Sequence, residues 1–349
     1  MTSMLACRLH AVGDLRGEEV PMPAVPPGWA LVRVAACGVC GSDLPRVITK
    51  GTYRFPLIPG HEIAGEVAQA PGGCGLAEGD RVVVFPLIAC GRCQSCQAEQ
   101  AQLCDDYDYL GSRRDGGWAQ YVAAPTANLL RVPPGVDLEV AALTEPAAVA
   151  RHALRRSGLQ EGDTVWIVGA GPIGLLLAQW ARALGAGRVV ISDLDDSKLA
   201  IAGTWSDFQV NTSQGDAAAL VREALGGAPD LVVEAVGVPA TIRQALQGAA
   251  KRGRVVLMGN PAGDVTLAQQ DYWQILRCEL TLVGTWNSQY RTAEACDWEE
   301  VLQAMASGAL QPGPLISHRV ALPDLPSLLE RMHAAQEPFV KVVMRPVGI

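Results

Sequence analysis

Four cysteines within fifteen residues form the densest group of reactive side chains in the sequence. They are Cys90, Cys93, Cys96 and Cys104, spaced C-x2-C-x2-C-x7-C. Loops of two residues let neighbouring thiolates converge on one Zn²⁺ ion, which prefers four ligands in a tetrahedron. The polar residues between them supply no apolar surface for burying free thiols, which argues against four unrelated thiols or a redox pair. Because protein would fill all four coordination positions, we predict a closed, structural zinc site.

A glycine-rich turn predicts a dinucleotide site. Residues Gly169, Gly171, Pro172, Ile173 and Gly174 lie in the sequence G-A-G-P-I-G, which follows the apolar run 164–168 and opens an apolar helix. In such turns the first glycine permits the tight turn, the second lets the backbone approach a pyrophosphate, and the third allows close helix–strand packing. The N-terminus of the helix would then face the diphosphate with its partial positive charge. We expect this whole turn to contact the cofactor.

The acidic residue that ends the next apolar run bears on the choice of cofactor. Asp193 lies nineteen residues past Gly174. Its carboxylate suits the two ribose hydroxyls of NAD and would repel the 2′-phosphate of NADP. Leu194 follows it, where an arginine would have favoured NADP. Alternatively, Asp193 caps a helix predicted over residues 195–202. The pattern favours NAD.

Composition limits the class of protein. The 349 residues are 49% apolar and 18% charged, which indicates a globular chain with room for two domains. The net charge is −8 and no stripe dense in lysine and arginine is present, so nucleic acid and anionic membranes are not expected partners. Neither a secretory signal nor an apolar run of membrane-spanning length is visible, so we expect a cytoplasmic protein. In that compartment the ten cysteines indicate metal ligands or free thiols before disulfides.

The chain divides into two regions with different patterns of predicted secondary structure. The first 150 residues are rich in short β-branched runs, at 30–34, 63–67 and 81–85, separated by Gly, Pro and Asp. From about residue 158, strand-like runs at 164–168, 188–192, 231–234, 254–258 and 280–284 alternate with helical segments such as 171–184 and 240–250. Such alternation predicts a doubly wound parallel α/β sheet. After residue 290 we predict a helix at 297–307, a loop rich in Pro and Gly, and a last strand at 340–345.

A second group of polar residues gains meaning only in combination. Cys40 lies in G-V-C-G-S-D, His61 and Glu62 in G-H-E, and Glu145 in T-E-P. A lone histidine is more often a core residue than a ligand. Together with the cysteine group, the glycine turn and G-G-W-A-Q-Y at 116–121, however, these motifs resemble the zinc-dependent medium-chain dehydrogenase/reductase family over essentially the whole chain. Segments 41–46, 107–117 and 275–286 are most similar to its polyol dehydrogenase branch.

The resemblance implies an architecture and an activity. A Rossmann NAD-binding domain would span residues 156–291, and a β-rich GroES-like catalytic domain would combine residues 1–155 and 292–349, with the structural zinc lobe at 88–106. The implied reaction is reversible NAD-dependent oxidation of a secondary alcohol in a polyol or polyol phosphate, with one catalytic and one structural zinc per chain. The family also implies a homodimer or homotetramer, in which residues 280–284 could pair across a two-fold axis.

The resemblance also implies roles for single residues. Cys40 and His61 would bind catalytic zinc, with Glu62 as a further ligand. Glu145 stands where alcohol dehydrogenases place a second cysteine, and it would bind zinc directly or through a water. Ser42 could take the hydroxyl proton of the substrate, or it could cap the helix that begins near residue 43. Some alcohol dehydrogenases carry a relay histidine where this chain has Pro45.

Substrate contacts are less specified by the motifs. The candidates are Arg46, Arg113 and Arg114, for an anionic substrate group, and Trp286 and Asn287, at the end of the last strand of the sheet. Guanidinium groups bind phosphate well, and ligands sit at the carboxyl ends of parallel strands. Alternatively, the arginines pair with acidic residues nearby in the sequence, at positions 105, 106, 108 and 115.

Two other functions fit the same fold class. One is a zinc-free reductase of activated double bonds, and the other is a non-catalytic protein, either a dinucleotide sensor or a structural, crystallin-like protein. The group of Cys40, His61 and Glu62 argues against the first, because such reductases need no catalytic metal. Metal analysis and a test for NADH production separate both from a dehydrogenase.

Overall fold

The computed structural model describes residues 2–261, 263–292 and 295–346. The strands are β1 Ser3–Ala11, β2 Asp14–Pro21, β3 Trp29–Val39, β4 Glu62–Gln69, β5 Arg81–Val84, β6 Leu87–Ile88, β7 Asp108–Tyr109, β8 Tyr121–Pro125, β9 Leu129–Arg131, β10 Thr164–Val168, β11 Arg188–Asp193, β12 Phe208–Asn211, β13 Leu231–Glu234, β14 Arg254–Leu257, β15 Thr281–Gly284, β16 Ile316–Ala321 and β17 Lys341–Arg345. The helices are α1 Asp43–Ile48, α2 Gln94–Gln97, α3 Leu138–Ala141, α4 Thr144–Ser157, α5 Pro172–Ala183, α6 Asp196–Ala202, α7 Ala217–Leu225, α8 Pro239–Gly248, α9 Gln269–Arg277, α10 Asp297–Ser307 and α11 Leu325–His333.

The chain folds as two compact units, Met1–Glu145 with Gln289–Ile349, and Pro146–Ser288. The sequence predicts a domain boundary after residue 155, whereas the two compact units divide after Glu145. Both positions lie inside α4. No helix in the described part of the chain is long and apolar enough to cross a membrane.

A seven-stranded sheet organises the first unit around β3. The order is β16-β17-β3-β4-β5-β9, and β8 also pairs with β3. Every second residue from Ala30 to Val34 is fully or almost fully buried, as the pleat of a half-covered strand requires. The antiparallel register with β4 sets Gly38 opposite Glu62. This pairing brings the end of β3, where Cys40 follows, next to the start of β4, which His61 precedes.

The second unit contains a six-stranded parallel sheet in the order β12-β11-β10-β13-β14-β15. Residues 165–167 of the central strand β10 are fully buried, as expected for a strand covered on both faces. The strand order reverses between β10 and β13, and in such sheets ligands bind at this switch point. The predicted α/β fold with a β-rich second domain is confirmed.

Several elements match the expected bounds, whereas the segment after α10 does not. Strands β10 and β13 and helix α10 have the predicted limits. The predicted loop between residues 308 and 339 was wrong, since it contains β16 and α11. Pro326, part of the composition that suggested a loop, lies in the first turn of α11, where its missing N–H has no helical partner to lose.

Candidate metal and nucleotide sites

The four cysteines of the lobe converge on one point. The Sγ atoms of Cys90 and Cys96 are 3.9 Å apart, those of Cys93 and Cys96 3.5 Å, and those of Cys93 and Cys104 3.9 Å. A tetrahedral zinc ion with Zn–S bonds of about 2.3 Å has S–S edges of about 3.8 Å. The sulfur atoms therefore have the spacing that a zinc ion requires.

The backbone of the lobe favours thiolates, and their mutual proximity opposes them. Backbone N–H groups of Asp105 and Cys96 lower the pKa of Cys93 to about 6. Desolvation and the neighbouring sulfurs raise the pKa of Cys96. The N–H of Cys90 points at the Sγ of Cys104, at 3.3 Å. Four thiolates this close need a cation among them, so the donor set fits zinc.

A second group forms where β3 ends and β4 begins. Ligand atoms of Cys40, His61 and Glu62 all lie within 4.8 Å of one another. Glu62 is fully buried, and among the described residues its Oε2 has no hydrogen-bond partner. Thiolate, imidazole and carboxylate are all ligands of catalytic zinc. The unpaired carboxylate oxygen gives this group a reason to hold a cation.

Asp43 orients this group, although the sequence did not single it out. The carboxylate accepts a hydrogen bond of 3.0 Å from the N–H of Cys40 and forms an ion pair with Arg46. Its Oδ1 lies 3.5 Å from Nδ1 of His61. Burial acts to raise the pKa of Asp43, but these positive partners outweigh it and hold the pKa below its ordinary value. Metal-binding histidines commonly direct their second nitrogen at a carboxylate. Arg46 thus contacts the carboxylate behind His61.

Glu62 also has a partner far away in sequence. The Nζ of Lys341 lies 2.5 Å from its Oε1 and 3.0 Å from the carbonyl oxygen of Val39, and both charged side chains are buried. Gly38 provides the space, since a Cβ there would lie 1.8 Å from Oε2 of Glu62. The last strand, β17, thereby delivers a counter-charge to the candidate metal group.

Glu145 lies beside this group without belonging to the set within 4.8 Å of one another in the described residues. Its Oε1 accepts a 3.4 Å hydrogen bond from the hydroxyl of Tyr109. The rings of Tyr109 and His61 form a T-shaped contact with their centroids 5.8 Å apart. Burial is the main reason that the pKa of Glu145 rises to about 7, and Glu62 adds to it. Tyr109 is a further site residue that sequence reasoning missed, although it lies in a segment that carried the family resemblance.

The remaining candidates have diverse surroundings. Ser42 occupies the N-cap position of α1 but makes no side-chain cap hydrogen bond, so its exposed hydroxyl is available. In the other unit, Trp286 is exposed after β15, and the side-chain oxygen of Asn287 accepts a hydrogen bond from the N–H of Ser288. Arg113 lies between two tyrosine rings, and Arg114 pairs with Asp108.

The glycine turn has the geometry that its sequence predicts. Gly169 has φ +104°, and a Cβ on Gly174 would lie 1.8 Å from the carbonyl oxygen of Gly169. Apart from its chain neighbours, no atom of the described residues lies within 4 Å of the position where Gly171 would carry a Cβ. Strand β10, the turn and helix α5 therefore leave an open backbone surface at the N-terminus of that helix, as a diphosphate requires.

Asp193 braces this turn. Its Oδ2 accepts a 2.8 Å hydrogen bond from the N–H of Ala170, and its Oδ1 accepts one from the N–H of Leu194. Helix α6 is capped instead by Asp195, whose carboxylate accepts from the N–H of Ser197. The capping alternative for Asp193 is therefore wrong.

Comparisons with known proteins agree with this architecture. Residues 26–134 match the family model of the alcohol dehydrogenase GroES-like domain, and residues 172–307 match that of the zinc-binding dehydrogenases. Galactitol 1-phosphate 5-dehydrogenase of Escherichia coli (strain K12) is 35% identical over 82% of this chain and 84% of its own. Sorbitol dehydrogenase of Bacillus subtilis (strain 168) is 29% identical over 99% of this chain and 98% of its own.

Solved structures show the same fold. The crystal structure of galactitol-1-phosphate dehydrogenase from Escherichia coli superposes with a TM-score of 0.92 at 32% identity, over 98% of this chain and all of that one. A zinc-binding dehydrogenase from Sinorhizobium meliloti 1021, bound to NADP, gives 0.90 at 32% identity, over 99% of this chain and all of that one. Fold and sites thus define an oxidoreductase of the zinc-binding dehydrogenase class. Within that class, the chain belongs to the zinc-dependent medium-chain polyol dehydrogenase family.

Proposed function

We propose that this protein is an NAD-dependent zinc dehydrogenase that oxidises a secondary alcohol of a sugar alcohol phosphate, as in the conversion of galactitol 1-phosphate to tagatose 6-phosphate. The observation that carries the proposal is the group of half-buried Cys40 with buried His61 and Glu62, in which one carboxylate oxygen has no partner among the described residues. The similarity to galactitol 1-phosphate 5-dehydrogenase supports a phosphorylated substrate. The similarity to sorbitol dehydrogenase supports the alternative, an unphosphorylated polyol such as sorbitol, galactitol or altritol.

The chain's own residues divide the work of this reaction. Cys40, His61 and Glu62 would hold the catalytic zinc, with Glu145 as a further ligand, directly or through a water. When bound, zinc supplies a Lewis acid for the substrate oxygen, and NAD supplies the hydride acceptor. Asp43, whose Oδ1 lies 3.5 Å from Nδ1 of His61, would help to orient that imidazole. Ser42, exposed at the start of α1, would accept the hydroxyl proton and pass it to solvent or a ribose hydroxyl.

The closed lobe has a separate, structural task. Its four cysteines would hold the second zinc and leave no coordination position for a substrate. We therefore expect two zinc ions per chain in a fully loaded protein, and about one in a protein whose lobe is disrupted.

We propose NAD as the cofactor because of Asp193. Its carboxylate lies at the end of β11 beside the glycine turn, where it would repel a 2′-phosphate. The NADP-bound relative makes a direct comparison of the two cofactors necessary. Initial rates with NAD and NADP at equal concentration test the assignment, and equal or faster turnover with NADP contradicts it.

We also propose that the protein is a dimer or tetramer through its nucleotide-binding unit. Strand β15 is an edge strand, and no other strand in the described part of the chain pairs with its outer side. Leu282 on this strand is 41% exposed, and Leu276 on the neighbouring helix α9 is 57% exposed. Pairing of two β15 strands across a two-fold axis would satisfy the ladder and cover this apolar surface.

The decisive experiment measures steady-state rates on matched pairs of phosphorylated and free hexitols. Zinc-loaded protein is assayed with NAD, with and without a chelator, and its metal content is determined by mass spectrometry. We expect NADH formation, a higher kcat/KM for the phosphate ester, and loss of activity on chelation. Equal kcat/KM for the ester and the free polyol would replace the phosphate assignment with the alternative. Absence of NADH formation with all hexitols would contradict the proposed function.

A further inference from the structure

The three arginines that could bind an anionic substrate have different surroundings. The side chain of Arg46 is 18% exposed, and its guanidinium pairs with the fully buried carboxylate of Asp43. That carboxylate faces Nδ1 of His61. The charge of Arg46 is therefore compensated within the metal group, and its effect on the reaction would pass through Asp43.

Arg114 is also paired. Its Nε forms an ion pair with Asp108, and its guanidinium lies 5.4 Å from the centre of the Trp29 ring. Asp108 belongs to β7 and Arg114 lies in the following loop, so the pair fastens that loop to the strand. An anion at Arg114 would have to displace a carboxylate that is already in place.

Arg113 has no such carboxylate. In the part of the chain that the structure describes, no acidic oxygen lies within 4.0 Å of its guanidinium. The guanidinium instead lies between two tyrosine rings, 4.4 Å from the centre of Tyr53 and 4.3 Å from that of Tyr107. Its Nη1 donates a 3.0 Å hydrogen bond to the carbonyl oxygen of Tyr107, and its buried Nε has no partner among the described residues.

These contacts position the guanidinium but leave it incompletely paired. Stacking on aromatic faces restricts the orientation of the guanidinium plane, but it does not neutralise the positive charge as a carboxylate would. A buried N–H without an acceptor is rare in native proteins and indicates that a partner is missing. The edge formed by Nε and Nη2 presents two parallel N–H donors, the arrangement that binds carboxylate or phosphate in a bidentate manner. Tyr53 is 71% exposed, and the inference requires its ring to turn toward solvent, as exposed side chains commonly do, when an anion binds this edge.

Aromatic contacts connect Arg113 to the candidate zinc group within the same unit. The ring of Tyr107 lies 6.3 Å from that of Tyr109, and Tyr109 lies 5.8 Å from His61. A hydrogen bond from the hydroxyl of Thr52 to the carbonyl oxygen of Ser112 joins the Tyr53 segment to the loop that carries Arg113. The cation thus lies a few side chains away from the group that would hold the reacting alcohol.

We infer that Arg113, held between Tyr53 and Tyr107, binds the anionic terminal group of the substrate and selects for charged over neutral polyols. The inference rests on the proposed dehydrogenase function and goes further, because it assigns substrate charge selection to one residue. A phosphate ester and a sugar-acid carboxylate offer the same acceptor chemistry to this edge. The relative rates on the two kinds of substrate separate them.

The test compares Arg113→Met, Arg113→Lys and the competing Arg114→Met in zinc-loaded protein. For each variant, kcat/KM is measured with a hexitol 1-phosphate, a hexonate and the matching free hexitol. Loss of a charged hydrogen bond predicts that Arg113→Met lowers the ratio of kcat/KM for the anionic to that for the neutral substrate by roughly 10- to 100-fold, mainly through KM. Arg113→Lys keeps a point charge and recovers part of the ratio, whereas Arg114→Met leaves it within about threefold.

The other possible outcomes overturn either the inference about Arg113 or the proposed dehydrogenase function. A larger drop of the ratio in Arg114→Met, or an unchanged ratio in Arg113→Met with its thermal midpoint preserved, overturns the inference and leaves the dehydrogenase proposal intact. A wild-type enzyme that oxidises free hexitols and prefers neither anion does the same. If no hexitol or derivative is oxidised, the proposed function fails. Calorimetric titration with inorganic phosphate then tests the anion site directly, and equal binding by wild type and Arg113→Met overturns it.

Discussion

Nζ of Lys341 lies 2.5 Å from Oε1 of Glu62, and the two side chains are only 3% and 0% exposed. The pair joins the first residue of β17 to the first residue of β4 through the intervening strand β3. It leaves Oε2 of Glu62 without a partner among the described residues, and a carboxylate oxygen of Glu62 lies within 4.8 Å of ligand atoms of Cys40 and His61. Lys341 therefore compensates the charge of Glu62, while Oε2 of Glu62 stays available to bind a metal ion.

Removal of the lysine should reveal how much this pair matters. In Lys341→Met, the carboxylate of Glu62 is left in the core without its counter-charge, and breaking a buried pair typically costs about 3–5 kcal/mol. Because a bound catalytic zinc would itself compensate Glu62, we expect urea denaturation of protein without that ion to show a loss of that order in the free energy of unfolding. The double variant Glu62→Gln/Lys341→Met removes both charges and should regain more than half of the loss. A single variant as stable as the wild type would contradict the assignment of a buried, charged pair.

The two metal groups should fail in different ways. Cys96→Ser removes one ligand of the closed lobe, and we expect about one zinc per chain and a lower thermal midpoint, because structural zinc contributes folding free energy. Cys40→Ser should leave a folded protein but reduce kcat by at least about 100-fold, since Lewis-acid assistance is worth several kcal/mol. Metal content, thermal unfolding and turnover are measured on the same preparations.

Cys74→Ser is the matched control, because Cys74 is a half-buried thiol outside both metal groups. It should keep two zinc ions, the wild-type thermal midpoint and full turnover. A Cys96→Ser protein that stays folded and assembled but loses only turnover would show that the lobe has a direct part in catalysis.

Local patterns carried most of what could be predicted. The lobe cysteines lie in one short loop, and the glycine turn lies between one strand and one helix, so spacing alone determines which groups meet. Lys341 and Glu62 are 279 residues apart, and only the strand order of the folded sheet brings them together. The role of Asp43 could not be predicted from the sequence for another reason. A carboxylate at the start of a helix is usually a dipole partner or cap, and here its burial against Cys40 and His61 decides its role.

The glycine turn offers a test that separates folding from cofactor binding. In Gly174→Ala the new methyl would lie 1.8 Å from the carbonyl oxygen of Gly169, so the backbone must move, and overpacking of this kind typically costs about 1–3 kcal/mol. In Gly171→Ala no atom of the described residues beyond the chain neighbours lies within 4 Å of the methyl, so the loss of stability should stay below about 1 kcal/mol, the cost of alanine at an N-cap position. The same methyl would occupy the space through which a pyrophosphate approaches, and we expect the Kd for NADH to rise at least tenfold.

Thermal unfolding and fluorescence titration with NADH distinguish the two substitutions. Gly226→Ala is unsuitable as a control because Gly226 has φ +69°, whereas Gly72→Ala introduces a methyl into open space without such strain. The control should match the wild type in both measurements. NADH affinity that is unchanged in Gly171→Ala would place the diphosphate elsewhere.

The edge strand β15 provides a test of assembly. Leu282 is 41% exposed in the middle of this strand, and in a two-fold pairing its copies would lie near each other. Leu282→Arg therefore places like charges and unburied polar groups at the proposed interface, while an exposed substitution changes the stability of a subunit by only about 0.5 kcal/mol. We expect sedimentation equilibrium to show at least a tenfold weaker association. Val12→Arg, at a 45% exposed position in the hairpin of β1 and β2, is the matched control and should assemble like the wild type. Unchanged association of Leu282→Arg, or a monomeric wild type, would remove β15 from the interface.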